Sequence, residues 1–201
     1  MQLPRIYPIT DTQLSGLSHA EQVGLLSVGG ASLIQLREKQ MPALEFYEQA
    51  RAAKQSGVQL IINDRADIAL AAGASGVHLG QDDFPPEAAR KLLGPHAIIG
   101  YSTHNVDQAI NATKLPIDYL AIGPIFSTTT KSDTAPVLGL EGLRAVRQAI
   151  GEFPLVAIGG ITLNNARAVI DAGADSVAVI SALLSAPDIT AATQTLLQSL
   201  R

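Results

Sequence analysis

The sequence contains no cysteine. That excludes disulfides, thiolate metal sites and a cysteine nucleophile, and it suits a reducing compartment. Aromatic residues are scarce, at 4% of 201 residues, so the core has to be built mainly from Ile, Leu, Val and Ala. No apolar run reaches the ~20 residues that a helix needs to cross a bilayer. The opening MQLPRIYPIT lacks a basic segment followed by a long apolar stretch, so no secretory signal is expected. Basic runs are missing too. The 14 Lys and Arg are dispersed against a formal net charge of −4, which argues against a nucleic-acid partner. The expectation is a cytoplasmic protein that acts on small molecules and meets neither nucleic acid nor membrane. The sequence assigns no oligomeric state.

What is present is a globular composition, 47% hydrophobic and 16% charged, able to bury a sizeable core. One phrase recurs: GASLI at 30–34, GASGV at 73–77 and GADSV at 173–177. Each follows a helical pattern and precedes a short apolar run. Glycine suits the residue just past a helix end, where positive φ is needed, and the run that follows suits a buried strand. The phrase is a helix stop plus a turn into a strand.

Eight short apolar runs predict strands at 5–10, 32–37, 59–64, 76–80, 97–102, 118–125, 154–161 and 176–181. Helix-compatible segments between them include 43–56, 67–72, 86–93, 106–113, 140–150, 163–172 and 188–200. Strands alternating with helices imply parallel pairing through right-handed crossovers. Eight such units predict one α/β domain over 1–201, a (β/α)₈ TIM barrel near the lower size limit of about 200 residues. A doubly wound open sheet is the competitor, but no G-x-G-x-x-G follows the first strand.

The stretch LIQLREK at 33–39 alternates apolar and polar residues. In a barrel wrapped by helices, side chains alternate between the helix layer and the interior. If Ile34 and Leu36 face the helices, Gln35 and Arg37 face inward, with Lys39 just beyond the strand end. Burying an unpaired Arg costs several kcal/mol, so either a carboxylate or a bound anion must meet it. Other strands end alike: IIND at 61–64, GVHLGQDD at 76–83, GYSTH at 100–104, GPIFSTTTK at 123–131, Gly159-Gly160 and Ile180-Ser181. Active sites gather at this end of such barrels.

Two clusters read chemically. Asp64, Asp82 and Asp83 resemble the protein share of a Mg²⁺ site, phosphate oxygens and water supplying the rest. Arg37, Lys39 and Lys131 could then hold the phosphate oxygens. Gly159-Gly160 and Ile180-Ser181 follow strands seven and eight, where barrels of this kind bind phosphate through backbone N–H groups. Blander roles are expected elsewhere. Asp82 reads as a turn or helix cap before Pro85-Pro86, His78 as a hydrogen-bonded interior residue, and His19 and His96 as surface residues. Arg37 paired with Glu38 or with a barrel carboxylate is the bland alternative for that cation. His104 is left open between cap and substrate contact.

Taken in order, QLREK, IINDRADIALAAGASGVHLGQDD, GYSTH, GPIFSTTTK, AIGGI and AVISA resemble the thiamine phosphate synthase family across nearly the whole chain. The resemblance implies a (β/α)₈ barrel and a transferase of thiamine biosynthesis. It would join hydroxymethylpyrimidine diphosphate to hydroxyethylthiazole phosphate, or its carboxylated form, releasing pyrophosphate with Mg²⁺. By position, it implies that Gln35, Arg37, Lys39, Asn63, Ser102 and Lys131 bind the pyrimidine diphosphate. Arg37, Lys39 and Lys131 act on the leaving group, and Asp64 and Asp83 bind Mg²⁺. Thr128, Thr130, Gly160, Ile180 and Ser181 bind the thiazole phosphate. Ser127 stands where many members carry Pro. Rival readings are a thiazole tautomerase of the same fold, which carries a His where this chain has Pro124, and a non-catalytic barrel that binds a phosphorylated ligand.

Overall fold

A computed structural model describes residues 1–128 and 136–201. Thr130 and Lys131 lie outside the described residues. Eight strands are formed among the described residues: β1 Ile6–Pro8, β2 Leu33–Leu36, β3 Gln59–Asn63, β4 Gly76–Leu79, β5 Ile98–Thr103, β6 Tyr119–Ile122, β7 Leu155–Ile158 and β8 Ser176–Val179. Between and after them run α1 Thr12–Ser15, α2 His19–Val28, α3 Ala43–Lys54, α4 Ala66–Ala71, α5 Pro86–Leu93, α6 Val106–Ala112, α7 Gly139–Ile150, α8 Ala166–Asp171, α9 Ser181–Leu184 and α10 Ile189–Ser199. Every strand pair is parallel, in the order β1-β8-β7-β6-β5-β4-β3-β2. A parallel bridge between Ile9 and Gln35 joins the two ends of that order, and Thr10 N–H donates to the Gln35 carbonyl at 2.9 Å. The sheet is thereby a barrel.

The recurring glycine phrase works as its chemistry requires. Gly30, Gly73 and Gly173 have φ of 99°, 63° and 112°, a region that side-chain-bearing residues rarely adopt. The next amide reaches back to the helix in each case: Ala31 to Leu26, Ala74 to Ala69 and Ala174 to Val169. These are the closing bonds of a helix C-terminal turn, and each delivers the chain straight into β2, β4 or β8.

Alternation then sorts the side chains. Ile34, Leu36, Leu60, Ile62, Val77, Leu79, Leu120 and Ile122 pack outward against helical residues such as Phe46, Ala50 and Ala89 in one apolar shell. Tyr7, Leu33, Ile61, Tyr119, Ala121, Val156 and Ala178 fill the barrel interior as a second, smaller cluster.

The helix-bearing chain is also tied to the N-terminal ends of the strands by two equivalent ion pairs. Arg90 of α5 donates to Asp118 Oδ2 at 2.6 Å, and that oxygen also accepts from Ile99 N–H at 2.7 Å. Arg147 of α7 donates to Asp175 Oδ2 at 2.7 Å, which accepts from Leu155 N–H at 2.8 Å. Both arginines also bind backbone carbonyls at the same end, Pro116 for Arg90 and Gly173 for Arg147. This is the face opposite the site, where such contacts serve stability. Among the described residues, no helix is long and apolar enough to cross a membrane.

Candidate active site

The C-terminal ends of the strands surround a cavity of about 810 Å³. Gln35, Arg37, Lys39, Asn63, Asp64, Asp83, Ser102 and Ile180 all line it, as expected from their strand-end positions. Thr128 and Gly160 stand on the loops after β6 and β7, Ser181 opens α9 after β8, and none of the three is part of that lining. Asp82 lines the cavity as well. It lies in the turn expected there, but it caps no helix: the residue preceding α5 is Pro85, without a side-chain hydrogen bond.

The floor is a line of hydrogen bonds that sequence reading did not anticipate. Gln35 Nε2 donates to Tyr7 Oη at 3.0 Å, Tyr7 Oη and Tyr119 Oη are 2.8 Å apart, and Tyr119 Oη lies 2.9 Å from His78 Nδ1. His78 Nε2 lies 2.9 Å from Ser102 Oγ. His78 is thus the inward, hydrogen-bonded histidine that its place on β4 suggests. Its contact with Tyr119 crosses β5, where the residue level with both is Gly100. A Cβ there would collide with the Tyr119 ring and with His78 Nδ1. Burial drives the hydroxyls of both tyrosines well above the usual phenol range, so both stay protonated.

The rim carries the charges. Asp64 follows β3 in the left-handed region, with φ 62°, a conformation that costs a non-glycine residue about 1–3 kcal/mol and is typically held at functional positions. Its N–H donates to the His78 carbonyl at 2.8 Å. Lys39 Nζ donates to Asp64 Oδ2. Asp83 Oδ2 accepts from Gly80 N–H at 2.7 Å. Burial raises the pKa of the Asp64 carboxyl. Lys39 opposes that rise and the adjoining Asp83 carboxyl adds to it. Two carboxyls crowded together, one resisting ionisation, suit a divalent cation. Oxygen donors alone suit Mg²⁺, whose remaining shell is usually phosphate and water. Among the described residues, no group of three or more His, Cys, Asp or Glu forms a fuller cage.

Arg37 makes no ion pair among the described residues. The bland alternative, pairing with Glu38, is not what the structure shows. Glu38 instead folds back on its own loop, accepting from the N–H groups of Lys39, Gln40 and Met41 at 2.7, 2.8 and 3.3 Å. Burial pushes its pKa up, but those amides together with His19 outweigh it and hold the carboxyl below its ordinary range.

His19 corrects the surface assignment. It is fully buried, tilted against Phe46 with ring centroids 5.6 Å apart. Burial lowers its pKa, although Glu38 pulls the other way. The neutral ring sits with Nδ1 2.6 Å from Thr10 Oγ1, and that same oxygen accepts from Arg37 N–H at 3.3 Å. Only its position in SHAEQ, at a helix start, was visible in the sequence. The packing that buries it comes from α3. His104, left open above, anchors Nδ1 on the Gly123 carbonyl at 2.7 Å while lining the cavity.

The loops after β6 and β7 lie against each other. Phe126 N–H donates to the Gly159 carbonyl at 3.0 Å, and Asn165 Nδ2 donates to the Gly160 carbonyl at 3.0 Å. A Cβ on Gly160 would meet Phe126 and the Ser127 carbonyl, and φ there is 63°. Close packing therefore accounts for Gly160 in its own right.

With this geometry in place, comparison with known proteins is decisive. The family model described as thiamine monophosphate synthase matches residues 6–183. The chain belongs to that family. It is 48% identical over 197 residues to the thiamine-phosphate synthase of Chloroflexus aurantiacus, covering 96% of this chain and 90% of the relative. It is 51% identical over 197 residues to that of Koribacter versatilis, covering 93% and 92%. Among solved structures, the thiamine phosphate pyrophosphorylase from Pyrococcus furiosus superposes with a TM-score of 0.88 at 39% identity, covering 98% of this chain and 95% of that one. A 3-hexulose-6-phosphate synthase at 19% identity and TM-score 0.76 shares the fold. Membership of the thiamine monophosphate synthase family makes this chain a transferase of thiamine biosynthesis.

Proposed function

We propose that the chain condenses hydroxymethylpyrimidine diphosphate with hydroxyethylthiazole phosphate, or its carboxylated form, in a Mg²⁺-dependent reaction in the cytoplasm. The observation that carries this reading is the rim: Arg37, without an ion-pair partner among the described residues, beside Lys39, Asp64 and Asp83 over one polar cavity. In this reading Arg37 meets an anion from outside.

In this reading Asp64 and Asp83 hold Mg²⁺, which supplies positive charge to the departing pyrophosphate. Arg37 and Lys39 bind its oxygens from the β2 side, joined by Lys131 at the family position. Gln35, Asn63 and Ser102 hold the pyrimidine in the cavity. Thr128, Thr130, Gly160, Ile180 and Ser181 hold the thiazole phosphate across the mouth. The bond from the pyrimidine methylene carbon to the diphosphate oxygen breaks and takes its electron pair with it. The aminopyrimidine spreads the positive charge that remains, and the thiazole nitrogen lone pair forms the new C–N bond. No protein nucleophile is needed. The chain's work is to position two substrates and stabilise leaving-group charge, the two effects expected to dominate such a reaction.

The test is to incubate the purified protein with both precursors and Mg²⁺ and to quantify thiamine phosphate and pyrophosphate. The reading expects both in equal amounts, and none without Mg²⁺. Absence of thiamine phosphate under those conditions would contradict it.

A further inference from the structure

Five side chains from five strands form the hydrogen-bonded line beneath the cavity, and its direction is set at one end. In the structure, the Gln35 amide presents its N–H to Tyr7 Oη. Tyr7 is protonated, so its own O–H goes to Tyr119 Oη. Tyr119, accepting there and fully buried, has its proton left for His78 Nδ1, 2.9 Å away. Were His78 to carry its proton on Nδ1, Tyr119 would accept twice and bury an O–H without an acceptor, which is the costly arrangement for a buried donor. His78 is therefore the Nε2–H tautomer and donates to Ser102 Oγ. The Ser102 hydroxyl, accepting from His78, directs its own proton to the cavity that it lines.

Reversing one group reverses all of them. With an acceptor in place of the Gln35 N–H, Tyr7 would donate to residue 35, Tyr119 to Tyr7 and His78 Nδ1–H to Tyr119. Ser102 would then donate to His78 Nε2 and offer the cavity a lone pair. Each polarity satisfies every buried group, and a mixture breaks the line at a buried hydroxyl. Such networks behave as units. Gly100 belongs to the same device, since a side chain there would separate Tyr119 from His78.

We propose that Gln35, acting through Tyr7, Tyr119 and His78 as positioning residues, fixes Ser102 as a hydrogen-bond donor to the substrate in the cavity. The identity of that substrate rests on the function proposed above; the state of the histidine does not.

The experiment is nitrogen-15 NMR of histidine-labelled protein at about pH 8, above the usual imidazole range. His78 is assigned by elimination, with variants of His19, His96 and His104. In the wild type, His78 Nε2 should carry the proton and Nδ1 should resonate as a bare acceptor. Gln35→Glu replaces the donor by an ionised acceptor of the same shape, and His78 should switch to the Nδ1–H tautomer. In the coupling assay, Ser102→Ala should lower kcat/KM roughly tenfold, the scale of one hydrogen bond. Ser102→Ala added to Gln35→Glu should lower it little further, because the donor is already lost. A wild-type His78 protonated on Nδ1 would overturn the proposal, with no variant required. An unchanged tautomer in Gln35→Glu would overturn it as well, as would fully additive losses in the double variant. Correct tautomers in a protein that makes no thiamine phosphate would leave the relay standing and count against the proposed reaction instead.

Discussion

Glu38 Oε2 stands 3.5 Å from His19 Nε2, beneath the strand end that carries Arg37 and Lys39. The charged rim thus rests on a second tier, in which Glu38 also reaches the cavity while His19 and Thr10 lie behind it. Glu38 gathers three amides of the loop, and Thr10 joins His19 to the Arg37 backbone.

Glu38→Ala removes the acceptor from those amides. It should destabilise the fold by roughly 1–3 kcal/mol and raise KM for the diphosphate substrate more than it lowers kcat, because Lys39 loses its setting. Urea unfolding and steady-state kinetics measure the two effects. A destabilised variant with an unaltered KM would show that Glu38 serves the fold alone.

His19 makes stability depend on pH. Its folded pKa lies below the ordinary 6.5 because burial disfavours the charged ring. The unfolded chain therefore takes up a proton that the folded chain refuses. The contribution is complete above about pH 6.5 and is lost as pH falls toward the lower folded value. The urea midpoint should drop on acidification through this window, and His19→Gln should flatten that part of the profile. Glu38, with its carboxyl held low, adds a separate loss beginning below about pH 4.5. A midpoint constant from pH 8 to 5 in the wild type would contradict the assignment.

Arg37→Ala separates a substrate role from a structural one. Having no ion pair among the described residues to lose, the variant should unfold within about 0.5 kcal/mol of the wild type. Its kcat/KM should fall by about 10²–10³, the cost of one group that stabilises developing charge, roughly 3–4 kcal/mol. A large stability loss with near-normal turnover would reverse the assignment.

The strands were legible because Ile, Leu and Val mark them and because the glycine phrase ends three helices in the same way. The rim was legible because Arg37, Asp64 and Asp83 sit at strand ends with no reason to be buried there. The floor was not. Tyr7 and Tyr119 are 112 residues apart, and their meeting depends on barrel closure and on the gap at Gly100, neither of which leaves a local pattern. His19 was misjudged for the same reason, since its burial is decided by Phe46 and Glu38. The Arg–Asp pairs do leave a trace in the sequence: both are separated by 28 residues.

Those pairs give a stability prediction remote from the chemistry. Asp175→Ala frees Arg147 and the Leu155 amide at the end of the barrel away from the cavity, and should cost roughly 1–3 kcal/mol. Catalytic constants of the folded variant should be those of the wild type. A changed KM at full folding would mean that this end of the barrel is coupled to the rim.

The most direct measurement of the rim's purpose is calorimetric titration of pyrophosphate into the protein, with and without Mg²⁺, for the wild type and Asp64→Asn. Binding should require Mg²⁺ in the wild type and weaken sharply in the variant, restored in part by excess metal. Equal, metal-independent binding in both proteins would contradict a metal-assisted diphosphate site at Asp64 and Asp83.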